Sequence, residues 1–352
     1  ALIVILAFAP RALAGDAEAE DQRLLSTFYE VLRFVQDNFV DEEKVDTQDL
    51  VDGALKGMFE ALGDPHSAYL SAAEMRDLDD TTSGRFGGVG LIISKIETGV
   101  EVVAPIEGTP AYRGGVNAGD VIVAVDGQSV VELNIDEVLS VLRGEPGTAV
   151  TMTLLRGKTL QFDVQVVRAL IEVPTVRSAM MSDGLGYLRI IQFTPLSAER
   201  VEEALEGFRK AGYRGLIVDL RSNPGGLLSS AIDIGDMFLS RGPVVSTRGR
   251  IPSENHVFYA SARATIVPPD LPVVVLINRG SASASELLAG ALQDTARATV
   301  MGEKSYGKGS VQQVKRVGEA GFRLTMSRYY TPLGKNIDKV GIQPDVEVKE
   351  PE

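Results

Sequence analysis

Apolar positions in the first eighty residues recur at helical steps. From Gln22 to Phe39, the residues Leu24, Leu25, Phe28, Val31, Leu32, Val35 and Phe39 fall three or four apart, one face of an amphipathic helix. Leu50, Val51, Ala54, Leu55, Met58 and Phe59 predict the buried side of a second helix over 47–62, stopped by Gly63-Asp64-Pro65. Ser71-x-x-Glu74 is a capping box that opens a third, short helix to about Leu78. The texture changes at Thr81. Short β-patterned runs follow at 100–103, 121–125, 150–155 and 160–167, and in the last Leu160, Phe162, Val164 and Val166 alternate with polar residues. Between them, 109–113 and 135–142 read as helical. From Ile171 the order is α/β: strands over 186–193, 216–220 and 272–278, helices over 197–211, 227–239 and 282–295, then strands over 298–301, 311–317 and 322–330. The short, nearly all-apolar run 216–220 is what a strand covered on both faces requires.

These elements predict a multidomain α/β protein: a helical module over 22–80, a compact β-rich domain over 81–170 and an α/β core over 171–352. Residues 1–21 stand apart. Ala1 to Ala9 is apolar, followed by Pro10-Arg11, the small-x-small pattern Ala12-Leu13-Ala14 and the acidic Gly15-Asp16-Ala17-Glu18. That reads as the remnant of a signal peptide or N-terminal anchor and linker, with a buried N-terminal strand as the plainer alternative. The run is shorter than the roughly 20 apolar residues that span a bilayer. It predicts export to the periplasm or another extracytoplasmic space, with membrane association through the N-terminus.

Composition narrows the chemistry. Across 352 residues, 35 basic against 48 acidic side chains give −13, which argues against non-specific binding of nucleic acid or anionic lipid. Without cysteine, thiolate metal sites and a cysteine nucleophile are excluded. Only His66 and His256 are present, so a multi-histidine metal site is not expected and no cofactor is. His66 reads as a structural hydrogen-bonder and His256 as solvated surface.

Four stretches carry candidate chemistry. Gly87-Gly88-Val89-Gly90-Leu91 is a glycine-rich loop whose N–H groups can converge on an anion. Asp219-Leu220-Arg221-Ser222-Asn223-Pro224-Gly225-Gly226 ends a buried strand and starts a helix, exposing N–H groups near a helix N-terminus as an oxyanion needs. Gly280-Ser281-Ala282-Ser283-Ala284-Ser285-Glu286 lies at a second strand-to-helix turn, where serines also serve as caps. The fourth, Gly302 to Gln312, contains Gly302-x4-Gly307-Lys308, most of a phosphate-binding loop pattern. Gly309 stands where Ser or Thr must ligate magnesium, and β-patterned sequence follows instead of a helix, so nucleotide binding is not predicted.

The β-rich domain resembles a PDZ domain, through Gly87 to Leu91 and the downstream stretch Ala118-Gly119-Asp120-Val121-Ile122-Val123-Ala124-Val125-Asp126-Gly127. Together with Asp64-Pro65-His66-Ser67-x-Tyr69-Leu70, Gly307-Lys308-Gly309-Ser310-Val311-Gln312, Tyr330-Thr331-Pro332-x-Gly334 and Gly341-Ile342-x-Pro344-Asp345, the chain resembles the C-terminal processing peptidases. These are tail-specific serine proteases with a PDZ domain, a crotonase/ClpP-like α/β core and a Ser–Lys dyad. The resemblance runs from about residue 25 to 348. It implies Ser283 as nucleophile, with Lys308, twenty-five positions on, as general base and Gln312 as an assisting amide. It also implies an oxyanion hole from Gly225 or Gly226 and Ala284, and peptide binding at Gly87, Gly88, Val89, Gly90 and Leu91. If 308 and 312 lie on one strand, they point to the same side.

The physical logic of such a dyad stands apart from the name. A free lysine, with a pKa of about 10.4, is protonated near neutrality and useless as a base, and burial in an apolar site lowers that value. Glu286 either orients the site or favours its helix N-terminus, and Arg85 either meets a peptide carboxylate or is plain surface. Expected partners are proteins or peptides with accessible C-termini and a second copy of the chain through the helical module. A non-catalytic PDZ scaffold on a protease-like fold is the alternative of another class, and intact Ser283, Lys308 and Gln312 weigh against it. A crotonase-like acyl-CoA enzyme is a third, which gains nothing from a PDZ domain or an export signal.

Overall fold

A computed structural model describes residues 11–349 apart from Lys158. The apolar run at 1–9 lies outside the described residues. The chain divides into two units: residues up to Ala73 with Gln312–Thr325, and Glu74–Val311 with Met326–Glu352.

In the first unit, helix α1 (Arg11–Asn38) begins eleven residues before the expected start. Most of its apolar stripe is exposed rather than buried, with Leu24, Leu25, Phe28, Val31 and Phe39 open to solvent. Asp46 caps α2 (Thr47–Glu60) by accepting from the N–H groups of Gln48 (2.8 Å) and Asp49 (3.0 Å). Phe59 at its end is buried and packs against Phe322, ring centroids 5.6 Å apart. The chain then turns at Gly63 and pairs strand Ala68–Leu70 antiparallel with Gly321–Arg323. Ser67 fixes that turn, donating to Asp64 at 2.5 Å and accepting from the Thr325 N–H at 3.0 Å.

Helix α3 (Ala72–Ser83) is longer than the capping box alone suggested and leads into the second unit. There the β-rich domain hangs from a two-stranded ribbon, Arg85–Gly88 against Ala169–Glu172. Its sheet is antiparallel, running Leu91–Ile96, Gly99–Pro105, Val121–Val125, Ala149–Arg156 and Leu160–Val167 in spatial order. Helices α4 (Pro110–Arg113) and α5 (Ile135–Leu142) complete it, α5 started by a reciprocal Asn134–Glu137 capping box. Its own core is built from Val100, Ile122, Val138, Met152 and Leu154, among others.

The α/β core is a six-stranded sheet whose four central strands are parallel neighbours: Leu185–Ile190, Gly215–Asp219, Val273–Ile277 and Thr299–Gly302. Strand Val176–Met180 adds antiparallel at one edge and Val346–Glu347 parallel at the other. Helices α6 (Ser197–Lys210), α7 (Leu228–Phe238) and α8 (Ala284–Asp294) share one apolar core with this sheet and with strand Pro243–Gly249 of a second, antiparallel sheet. Every residue of α8 up to Leu292 is buried. Among the described residues no helix is long and apolar enough to cross a membrane.

Candidate active site

The three core stretches singled out in the sequence emerge from the carboxyl ends of three adjacent parallel strands, where open α/β sheets build their sites. The first two loops are stitched side by side. Asn278 Oδ1 accepts from the N–H groups of Ser222 (2.8 Å) and Gly280 (3.0 Å), and the Ala282 N–H donates to Asn223 O at 3.0 Å. Ser281 donates its hydroxyl to Leu220 O (2.8 Å) and Ser285 to Asn223 O (3.0 Å), and both residues are fully buried. Those two serines are tethers between loops.

Ser283 is different. It stands ahead of α8 at φ 55° and ψ −115°, a conformation that costs a non-glycine residue about 1–3 kcal/mol. The surrounding tethers hold it at the corner between strand and helix. The turn of Gly225 lies directly against it: φ is +100°, and a Cβ there would stand 2.7 Å from both Ala282 O and Ser283 Cβ and 2.9 Å from Ala284 N. Only glycine fits that approach. Of the expected oxyanion donors, the Gly225 N–H is already bound to Asn223 Oδ1 at 2.8 Å. The N–H groups of Gly226 and Ala284 donate to no acceptor among the described residues.

One carboxylate binds the third loop to Ser283. Glu286, a helical turn later, is wholly buried. Its Oε2 accepts from the N–H groups of Ser283 and Lys308, each at 2.8 Å, and its Oε1 from the Gly307 N–H (2.6 Å) and the Ser305 hydroxyl (2.5 Å). Because Ser283 N and Lys308 N bond the same oxygen, they stand at most twice that distance apart. Burial pushes the Glu286 carboxyl up, against the pull of hydrogen bonds from Ser305, Gly307, Lys308 and Ser283. The two readings of Glu286 left open by the sequence are thus joined in one role, since it holds the helix start and the lysine loop together. Lys308 itself is half-buried.

A second buried carboxylate stiffens the first loop. Asp219 accepts from Arg221 Nε (3.0 Å), Nη2 (2.8 Å) and N–H (3.0 Å), and from the Tyr187 hydroxyl (2.7 Å). Burial alone would push its pKa up, but those hydrogen bonds outweigh it and hold the group below the usual carboxylate range.

Other expected residues fall as follows. Lys308 lies two residues ahead of the strand Ser310–Val317, not on it, because Gly307 (φ +94°) and Gly309 turn the loop there; the same-strand argument for Lys308 and Gln312 does not hold. Gln312, in the other unit, donates from Nε2 to Thr325 Oγ1 at 3.2 Å. Gly87 and Gly88 are in the ribbon, Val89 is buried, Gly90 sits at φ +83° against Thr109, and Leu91 opens the free edge strand of the β-rich sheet. Arg85 is paired with Glu172 at 3.2 Å, and Arg200 holds the other oxygen of the same carboxylate. His66 is part-buried and His256 exposed. Sequence reasoning missed the part played by Ser305, whose hydroxyl donates to Glu286 Oε1. No group of His, Asp and Glu side chains among the described residues is arranged to hold a metal ion.

Comparison with known proteins fits this geometry. Residues 184–348 match peptidase family S41, 101–156 the PDZ domain and 11–74 the activating protease CtpB N-terminal domain. The chain is 40% identical over 347 residues to a carboxy-terminal-processing protease of Bartonella bacilliformis, covering 97% of this chain and 79% of that one. It belongs to the carboxy-terminal processing proteases of peptidase family S41. Identity is 34% to the carboxy-terminal processing protease CtpA of Bacillus subtilis, covering 88% of this chain and 66% of the relative. To a carboxyl-terminal-processing protease of Synechocystis it is 38%, over 85% and 71%. Among solved structures, the photosystem II D1 C-terminal processing protease is similar with a TM-score of 0.55 and 30% identity, covering 92% of each chain. As an S41 peptidase the chain is a serine-type protease built of N-terminal helices, a PDZ domain and a protease core.

Proposed function

We propose that this S41 protease is an exported endopeptidase that takes the C-terminal tail of protein substrates on its PDZ domain and cleaves them with Ser283 as nucleophile and Lys308 as general base. The observation that carries the dyad is Glu286, whose single oxygen Oε2 ties the backbones of Ser283 and Lys308 to each other. A neutral Lys308 amine removes the Ser283 proton as Oγ attacks the scissile carbonyl carbon. The negative oxygen of the tetrahedral intermediate is received by the N–H groups of Ala284 and Gly226, worth about 3–4 kcal/mol per donor in such sites. Gly225 joins them only if its N–H leaves Asn223. The protonated lysine gives its proton to the departing amine, and water, activated by the same amine, hydrolyses the acyl-enzyme. Gln312 enters the reading only through its spacing from Lys308 in the family motif.

The free edge strand Leu91–Ile96, next to the glycine loop, supports tail binding by strand addition. The exposed apolar stripe of α1 supports pairing of two copies through the helical module. Export and N-terminal membrane association rest on the sequence 1–14 alone. The decisive experiment incubates the protein with candidate exported proteins and maps new termini by mass spectrometry. Cleavage should vanish in Ser283→Ala and fall as far in Lys308→Arg as in Lys308→Ala, because arginine keeps the charge but stays protonated. Undiminished cleavage by Ser283→Ala would end the reading.

A further inference from the structure

One large apolar side chain of the three loops around Ser283 faces solvent. Over 219–226, 278–286 and 302–309 it is Tyr306, 66% exposed, in a stretch whose neighbours Ser305, Gly307 and Gly309 are buried. Its main chain is held on both sides. The Tyr306 N–H donates to Ser281 O at 3.0 Å, the Ser305 N–H to Ile342 O at 3.1 Å and the Gly307 N–H to Glu286 Oε1 at 2.6 Å, while Gly307 O accepts from the Lys339 N–H at 2.8 Å. Tyr306 is therefore fixed against Ser281, two residues before Ser283, and stands two residues before Lys308. We propose that Tyr306 is a specificity-determining residue of the protease, whose ring receives an apolar side chain of the substrate at the residue following the scissile bond.

An exposed tyrosine by itself means little, since folded proteins leave much apolar area in water. This one is distinguished by where it is held. A ring on a rigid main chain has two side-chain torsions to fix, so it offers contact area at low entropic cost. Arg279 and Lys304, the exposed long side chains of the same loops, are charged, and Arg279 is paired with Glu303 at 3.2 Å. Apolar contact with a substrate beside these loops thus falls to Tyr306. The half of the substrate that it meets follows from the chemistry of the lysine. Lys308 hands its proton to the departing amine, so the loop that carries it lies along the half that leaves, whereas the oxyanion donors Gly226 and Ala284 belong to the other two loops. The nearest side chain on the leaving half belongs to the residue after the scissile bond.

The inference rests on Ser283 and Lys308 being the reacting pair, and the experiment separates the two. An unfolded protein cut by the wild type is mapped to its scissile bond and remade with Leu or Gly at the residue after that bond. The two versions compete in one reaction, so that their product ratio gives the ratio of kcat/KM. In parallel, Ser283 is labelled with an alkyl fluorophosphonate, which reads the activated serine with no substrate side chain at that place. Wild type should favour Leu by about 10-fold, and Tyr306→Ala should bring the ratio to within about twofold of unity. Tyr306→Phe should keep the preference, because the ring makes the contact, and Ser283 should be labelled in all three proteins. A Leu preference retained by Tyr306→Ala, or absent from the wild type, would overturn the proposal. Loss of label in Tyr306→Ala would also overturn it, since the ring would then support the reacting pair instead of touching substrate. Absence of label on Ser283 in the wild type would overturn the nucleophile assignment and this inference with it.

Discussion

Replacing Glu286 tests the site at its most constrained point. In Glu286→Ala, four buried donors lose their acceptor: the N–H groups of Ser283, Gly307 and Lys308 and the Ser305 hydroxyl. An unsatisfied buried donor costs about 1–3 kcal/mol, so even at the lower figure the loss is about 4 kcal/mol. That is a large part of the roughly 5–15 kcal/mol that holds a domain folded. Glu286→Gln is a finer probe. With its amide nitrogen in place of Oε2, the Ser283 and Lys308 N–H groups both face a donor. With the nitrogen in place of Oε1, it can donate to Ser305 Oγ, leaving the Gly307 N–H unmet and turning the Ser305 hydroxyl hydrogen, which had been donated to Oε1, away to another acceptor. The second orientation keeps the tie between Ser283 and Lys308. Glu286→Gln should therefore lose about 1–3 kcal/mol of stability and keep measurable activity, whereas Glu286→Ala should lose activity altogether. Urea unfolding gives the stabilities and phosphonate labelling of Ser283 gives the reactivity. A Gln variant as inert as the Ala variant would refute the orientation argument, and an Ala variant that is stable and labelled would refute the role of Glu286.

Ser281→Ala and Ser283→Ala should separate stability from catalysis. Loss of the Ser281 tether should cost about 1–3 kcal/mol in urea unfolding while Ser283 still labels, and the reverse pattern would mean the register is wrong. Gly225→Ala places a Cβ 2.7 Å from Ala282 O at a φ of +100°, so it should destabilise by at least about 2 kcal/mol and abolish turnover; an active, stable variant would refute the close approach. In the PDZ domain, hydrogen bonds from Arg156 outweigh burial and hold Asp120 below the ordinary carboxylate range. Its folded pKa being the lower one, its contribution is complete above its unfolded value of about 3.9 and is lost as pH falls through the folded value. Hydrogen exchange of PDZ amides should show that acid loss in the wild type and not in Asp120→Asn.

What was legible in the sequence is what local physics writes there. The run of apolar residues at 216–220 and the helical spacing at 197–211 recover strand Gly215–Asp219 and helix α6 to within a residue, because burial on both faces and on one face leave different periods. Less legible were the strands Val176–Met180 and His256–Tyr259, mostly exposed edge segments whose patterns carry no burial signal. The first helix kept its period but not its burial, since periodicity tells which residues share a face and nothing about what covers it. Three serines at 281, 283 and 285 look alike as letters. The structure parts them: the hydroxyls of Ser281 and Ser285 go to backbone carbonyls of the neighbouring loop, whereas Ser283 stands at a positive φ at the corner ahead of the helix. A buried glutamate three residues after Ser283 was visible as a helix-start pattern, but three of its four donors come from residues 305–308, which only the parallel pairing of Val273–Ile277 with Thr299–Gly302 brings near. A spacing between two motif positions can be counted along the chain, whereas the carboxylate tie between the Ser283 and Lys308 backbones is set by the pairing of parallel strands. That is why the two candidate positions could be named from the chain while the tie between them could not.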